Sequence, residues 1–576
     1  MINQTRILLV VALLFVGFLL WRQWQHDYPP APPPAVAATA NVPVPTSASV
    51  PQATAASPAA SATPAASAPA GQVPEEARKV ATTPAADLIV ASTDVLRLTI
   101  DPRGGTILDA DLLGYPDKVA PGSPPVRLLD AETGRYYVAQ NGLVGAAGSA
   151  APDHQAEFTA TRKRYTLAGG QNALVVTLDW SDPATGIGVV KRYTLTRGSY
   201  VVKLTQEITN HGAATWHGNA YEQLERVEPP PPPKHLLEFY NPESLAFTGA
   251  AWYSPGDKYN KLKFGDFASD PLHKDVTGGW IAMSQRFFLG AWIPEPKEAE
   301  SFTSLALPGI DGGKPRYLIR TMGPGFAVAP GASATRDARL YVGPKLQNHL
   351  ASVAPGLDLT VNYMWSTVIA QPLFKLLSFL DRLVGNWGLA IIVLVLIIQG
   401  AIYKLTDTQY RASARMRKLT PRLKALKERF GDDKQKYQQA MMELYKKEKV
   451  NPMAGCLPTL IPLPIFFALY YVLILSVELR HARFLWIPDL SAADPYFVLP
   501  VLYALTMLGQ QFLTPVQGMD PNQARIMKAM PVLLAVLFFF FPAGLTLYYV
   551  VRGICLLGQQ WYVTRQVDRA EAHARA

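Results

Sequence analysis

The sequence predicts a polytopic α-helical membrane protein of six spans that carries one large external antiparallel β-sandwich domain. Three observations lead there. Apolar runs at Ile7–Trp21, Leu389–Ile398, Ile461–Val477 and Met530–Phe541 approach the ~20 mostly apolar residues that a bilayer crossing needs. Residues 86–345 instead alternate with period two between Gly, Pro, Asn and Asp turns, the mark of many short strands. Charge is also split: residues 7–360 hold 29 Lys/Arg against 31 Asp/Glu, the remainder 25 against 13.

The 576-residue chain is 49% hydrophobic and only 17% charged, with a mean hydropathy of +0.08. Its net charge of +10 is concentrated between Lys404 and Lys449, where 14 basic residues meet 6 acidic ones. Lys/Arg-rich loops beside spans stay cytoplasmic, so this segment is expected inside and the near-neutral 86–345 outside. Two cysteines, Cys456 and Cys555, lie in or beside apolar runs and exclude a disulfide framework. The nine histidines show no metal spacing, and His211 and His217 share a small-residue loop. Neither a metal nor a cofactor is expected.

Residues 1–6 form a cytoplasmic N-terminus and 7–21 the first span. Because the run ends in the interfacial pair Trp21-Arg22, a retained anchor is expected; a cleaved signal peptide, with small residues near Ala35–Ala40, is the alternative. The Pro/Ala/Ser linker 22–85 lacks the large apolar side chains that would offset its ordering entropy, which predicts disorder. Strands are expected at Asp94–Asp101, before the turn Arg103-Gly104-Gly105, and at Ala173–Trp180. A hairpin is expected across Val189–Thr209 around Arg197-Gly198-Ser199. Asp101, Asp179, Glu207 and Glu222 invite comparison with paired glycosidase carboxylates, but solvated strand edges and turns explain them better. Pro229–Pro233 reads as a rigid loop rather than a docking site.

An interfacial amphipathic helix is expected within 357–384, chiefly Met364–Leu383. The second span, 386–404, contains Gln399 in an otherwise apolar run. Residues 405–452 form a basic cytoplasmic hairpin with arms Thr408–Phe430 and Lys434–Val450, joined at Gly431-Asp432-Asp433. Met416, Leu419, Leu423 and Leu426 would face Tyr437, Met441, Leu444 and Tyr445 along about 30 Å. Its Arg415, Arg417, Lys418, Arg422 and Lys424 suit RNA, anionic headgroups or a protein, and equally a solvated face obeying the charge rule. Further spans follow at 455–477, with breakers Pro458, Pro462 and Pro464, and at 495–513, 527–541 and 543–563. The loop 478–494 is external, 514–526 is internal, and the tail 564–576 is cytoplasmic. Met527–Phe541 is short, consistent with a locally thinned bilayer.

FGDDKQKYQQAMMELYKKEKVNPMAGCLPTLIPLPIFFALYYVL at Phe430–Leu473 closely resembles the YidC-type membrane protein insertases. So do QPLFKLL at Gln371–Leu377, VGNWGLAII at Val384–Ile392, VELR at Val477–Arg480, WIPDLSAADPY at Trp486–Tyr496 and FPAGLTLYYVV at Phe541–Val551. The likeness is dense over Leu357–Gln566, and the first span, tether and β-domain agree in order with the long Gram-negative members. It implies a five-helix insertase core in the bacterial inner membrane, working without covalent catalysis, with both termini cytoplasmic and the sandwich periplasmic. The implied work is insertion and folding of nascent inner-membrane proteins through a hydrophilic groove, alone or with the Sec translocon. Ribosome–nascent chain complexes and anionic phospholipid are further implied partners, DNA is not one, and a monomer suffices. The cytoplasmic hairpin, including Asp432 and Asp433, would receive substrate.

The family carries a groove arginine where this chain has Gln399, and a hydroxyl residue where it has Val395. Arg552 in the last span stands three residues after Tyr549, a position matching a substrate contact of the family, and Tyr548 adjoins it. Leu463 and Pro464 would line the same groove. The expected depths of Gln399 and Arg552 differ by roughly 6 Å. An intramembrane charge is costly, so Arg552 is expected to face a wet groove and hydrogen-bond with Gln399; snorkelling to headgroups is the alternative. A transporter would need an internal repeat, and none is visible. A sugar-modifying enzyme would place its work in Ala86–Val342.

Overall fold

The computed structural model describes Val73 and residues 83–146, 149–230, 246–430, 433–448, 462–513, 529 and 535–575. The expected first span, nearly all of the linker, Pro231–Pro233, Asp432, Cys456, the loop 514–526 and about half of the fifth span lie outside these residues.

Residues 89–344 are built around two sheets. An eleven-stranded sheet runs from His273–Thr277 through Ala299–Leu307, Arg316–Met322, Trp216–Val227, Tyr137–Gly145, Thr106–Pro116, Leu96–Asp101 and Ile89–Ser92 to Arg164–Thr166. Only the last of these pairings is parallel. A nine-stranded antiparallel sheet carries Phe288–Ile293, Ser333–Pro344, Val201–Asn210, Ile187–Thr196 and Ala173–Asp182 at its centre. Ile187–Thr196 alternates buried and half-buried along its length, as a strand with one face on a core must. The turn Arg197–Ser199 joins it to Val201–Asn210 in register, Leu204 opposite Tyr193. Tyr137 donates across the sandwich to Met283 O at 3.0 Å, and Trp292 to Gln223 O at 3.1 Å, so the sheets face each other.

Trp216–Val227 departs from alternation: every residue except His217 is buried. Trp216, Ala220 and Leu224 point into the main core, while Tyr221 and Val227 pack in separate clusters on the opposite face. Covering both faces buries polar residues as well. Glu222 is therefore inside, not at a solvated edge as its sequence context suggests. Asp101 is also buried, accepting from Arg103 N at 2.9 Å and Thr83 Oγ1 at 2.7 Å.

The chain leaves the sandwich through the helix Gln347–Val353 and two short 3₁₀ turns. The amphipathic helix then spans Thr367–Val384, starting later than 357 because those turns occupy its approach. It buries Ala370, Phe374, Leu377 and Leu380 and exposes Val368, Phe379 and Leu383. Gly385, at φ +68°, ends it in the left-handed conformation that glycine adopts without penalty. Asn386 begins the next helix, Trp387–Ala401, by accepting from Leu389 N at 3.1 Å.

That helix does not continue straight to 404. It bends by 60° into Tyr403–Lys418 at Ile402. Gly400 lowers helix propensity beside the break, and Thr406 Oγ1 donates back to Tyr403 O at 2.9 Å, a contact that bends helices. The first hairpin arm is itself two helices, Tyr403–Lys418 and Thr420–Phe430. Pro421 explains the interruption, having no N–H and clashing with the carbonyl four residues back. The second arm is Lys434–Lys447, capped by Asp433, which accepts from Gln435 N and Lys436 N at 3.1 Å each. Two apolar helices, Pro462–Leu475 and Val498–Leu513, precede the final helix Ala543–Arg575, whose 33 residues run through the expected tail. Among the described residues no single helix is long and apolar enough to cross a membrane; the bent pair at Ile402 passes together.

Candidate functional site in the helical bundle

Pro542 opens the final helix, and the segment 478–494 holds it in place: Ala543 N donates to Ala492 O at 2.7 Å and Gly544 N to Leu490 O at 2.9 Å. That segment is organised by Asp494, which accepts from Trp486 Nε1 at 3.1 Å and caps Val498–Leu513 through Leu499 N at 2.8 Å. Beneath it, Phe466, Tyr470, Phe538 and Phe541 pack edge to face, and Tyr503 and Tyr549 extend the cluster inward. This end of the bundle is thus filled with rings.

Below the rings the lining turns polar. Arg552 is half-buried, its guanidinium 5.9 Å from the Tyr549 ring. It is in electrostatic range of Tyr410, Tyr503, Tyr548 and Tyr549, so three helices, its own included, converge on one cation. Its Nε is shielded from solvent and has no hydrogen-bond partner. Across the bundle Gln399 is also half-buried, and its Oε1 is shielded and unpartnered. The expected Gln399–Arg552 hydrogen bond is not made; the guanidinium is turned to the tyrosines instead. Val395 is buried, while Leu463 is exposed and Pro464 half-buried on Pro462–Leu475.

Gly553, next to Arg552, explains how close the helices come. A Cβ there would sit 2.5 Å from Thr506 Oγ1, and Gln510 Nε2 reaches Gly553 O at 3.1 Å. Small residues and amide cross-links are what hold helices together where neither side prefers water.

The hairpin is fastened at its root. Thr406 donates to Gln559 Oε1 at 2.9 Å, Gln559 Nε2 to Tyr403 O at 3.0 Å, and Arg411 to Gln566 Oε1 at 3.0 Å. Its arms meet through buried Leu419 and Leu423, and Arg422 pairs with Glu448. The side chains of Arg415, Arg417, Lys418 and Lys424, and all of Asp432, lie outside the described residues. Sequence reading passed over Tyr410, Tyr503, Gln510 and Gln559. The amides in apolar helices were the signal available; which of them meet depends on the 60° bend.

The sandwich holds a second polar grouping. Lys191 Nζ donates to Gly104 O at 2.7 Å and Asn141 O at 3.1 Å, and burial pulls its pKa down to about 7. Burial, with Glu300 nearby, holds Glu222 well above the usual carboxylate range, and burial pushes Glu300 up to about 7. Among the described residues no three His, Cys, Asp or Glu side chains are placed to hold a metal.

The chain matches two family descriptions, "YidC periplasmic domain" over residues 88–376 and "60Kd inner membrane protein" over 379–571. A "Membrane protein insertase YidC" of Xanthomonas campestris is 45% identical over 98% of this chain and 97% of its own. One from Aeromonas hydrophila is 41% identical over the full length of both. A solved YidC insertase aligns over 84% of this chain and 94% of its own at 18% identity, with a TM-score of 0.38.

Proposed function

The chain belongs to the family of YidC membrane protein insertases, and on that premise we propose that Arg552 supplies the charge of its intramembrane groove. Nascent inner-membrane proteins enter from the cytoplasmic side, where the basic hairpin receives them from the ribosome beside anionic phospholipid. They pass their polar ends along the face of Gln399, Tyr548, Tyr549 and Arg552, with Val395, Leu463 and Pro464 alongside. They leave sideways into lipid, with or without the Sec translocon. On this reading the chain spans the inner membrane six times as a monomer, both termini cytoplasmic, and the work is non-covalent.

The observation that carries the reading is the pair of shielded, unpartnered polar atoms, Arg552 Nε and Gln399 Oε1, among helices whose outward faces are largely apolar. Buried polar atoms normally find partners, and an orphan costs about 1–3 kcal/mol. A groove that must ease a polar segment through hydrocarbon keeps such atoms for the segment itself. The ring cluster at the outer end supports closure on that side, and the lining below it supports opening inward.

Photo-crosslinkers at Gln399 and Tyr549, with a ribosome-bound nascent chain carrying a short polar tail, test this. Crosslinks from both positions, lost in Arg552→Ala, are expected. Labelling only by lipid would overturn the reading. In a strain depleted of its insertase, Arg552→Ala should impair growth while Gln399→Ala changes little.

A further inference from the structure

The segment Ile474–Arg480 is not part of the groove, yet three pieces of the β-domain and its exit helix converge on it. Arg286, in the turn before Phe288–Ile293, donates from Nε and Nη2 to Ile474 O at 3.2 and 3.0 Å. Arg480 reaches back to Pro116 O at 2.8 Å and Asp117 O at 2.9 Å, at the end of the strand Thr106–Pro116. Gln347, the first residue of the helix leaving the sandwich, donates from its backbone N to Glu478 Oε1 at 3.2 Å. The Gln347 side chain bonds Tyr363 OH and, at 3.3 Å, Ser476 Oγ, and Tyr363 OH lies 3.3 Å from Ser476 Oγ. Ser476 ends the helix Pro462–Leu475, its N donating to Val472 O. One turn after an apolar helix therefore anchors the whole exported domain.

Glu478 is the anomaly in this joint. Its side chain is half-buried, but Oε2 is shielded from solvent and has no hydrogen-bond partner. Facing it are Tyr115 from the strand Thr106–Pro116, Tyr341 from Ser333–Pro344 and Tyr363. The nearby cations are engaged elsewhere: Arg480 with Pro116 and Asp117, Arg286 with Ile474, and Lys345 Nζ with Thr360 O. His481, on its own segment, lies 3.9 Å from Asp489. A shielded carboxylate with no cation, held only by the backbone N–H groups of Gln347 and of Glu478 itself, is unfavourable, whereas a neutral carboxyl keeps those bonds and loses the charge.

We propose that Glu478 is the positioning residue that docks the β-domain on the helical bundle, and that it does so as a neutral carboxyl group. Docking then depends on pH. Burial raises the Glu478 pKa from its ordinary value to about 7. The folded joint holds a proton that the undocked carboxyl releases near its ordinary value, so docking is strongest in acid. It weakens as pH rises and is lost above about 7.

The test uses the full chain in lipid nanodiscs, with Cys456→Ser and Cys555→Ser, and spin labels at Thr196→Cys on the sandwich and Arg483→Cys on the external loop. The distance distribution should be narrow at about pH 5.5 and roughly double in width by about pH 8.5, with its midpoint above the ordinary carboxylate value of 4.5 and no higher than about 7. Glu478→Gln, which keeps an acceptor for Gln347 and cannot ionise, should be narrow at both values. Glu478→Ala should be broad at both. A purely structural role would not separate Gln from Glu by pH. A wild-type width that does not change over this range, or a Gln variant that broadens with the same midpoint, would overturn the proposal.

Discussion

Replacing Arg552 by leucine separates what the guanidinium costs from what it does. Arg552 lies nine residues after Ala543, about 14 Å along the helix at ~1.5 Å per residue. That is close to the middle of a hydrocarbon layer ~30 Å thick. An arginine at a helix centre costs on the order of 2.5–3.5 kcal/mol to insert. Its contact with the Tyr549 ring returns about 1 kcal/mol, so leucine should stabilise the bundle by about 2 kcal/mol. At roughly 2–4 °C per kcal/mol, the melting temperature should rise by about 4–8 °C. Function should move the other way. Losing a charge-assisted hydrogen bond to a passing segment, about 1.5–3 kcal/mol, lowers its occupancy of the groove roughly 10- to 100-fold. Tryptophan-fluorescence melts in nanodiscs measure the first quantity, and nascent-chain crosslinking from Tyr549 measures the second. A lower melting temperature together with lost insertion would make Arg552 a structural residue. A higher one with insertion intact would show that the groove does not use the charge.

Two further substitutions probe the scaffold. Gly553→Ala places a Cβ 2.5 Å from Thr506 Oγ1, so the helices must part, at a cost of about 1–3 kcal/mol; the melting temperature should fall, and Thr506→Gly should recover part of the loss. In the sandwich, Glu225 and Arg316 form an ion pair with side chains only 0% and 2% exposed. Glu225→Ala strands the guanidinium and should destabilise the domain by about 3–5 kcal/mol, whereas Glu225→Leu with Arg316→Met should melt within about 1 kcal/mol of wild type or above it. Circular dichroism of the full chain reads both.

How much of this was legible depended on how local the cause was. The hairpin around Arg197–Ser199 could be read because strand period and turn chemistry sit within twenty residues of one another. The break before Pro421 was equally local, but the apolar spacing of Leu419, Leu423 and Leu426 ran through it and concealed it. Burial of Glu222 was not legible. Alternation reports one covered face, and Trp216–Val227 has two, a property of its place in the eleven-stranded sheet. Gln399 and Arg552 stood out as polar residues in apolar runs, and helical rise placed them at similar depth. What rise could not give was rotation. The guanidinium turns to Tyr549, and the bend at Ile402 brings Tyr410 toward it.

That rotation bears on why a family member can carry an amide at the position of its groove cation. A charge on the helix Trp387–Ala401 would have to be satisfied by that helix and its neighbours, beside Gly400 and the 60° bend at Ile402. On the last helix the same charge has a ring beneath it, three further tyrosine hydroxyls in range, and Gly553 drawing Val498–Leu513 close. On the proposed reading, the cation stands on the helix where a ring and several hydroxyls support it. A mixed test follows from this: Gln399→Arg alone adds a second cation to the groove and should lower insertion, while Gln399→Arg with Arg552→Ser should restore it toward wild type. If the double variant is no better than Arg552→Ser alone, the two positions do not share one task.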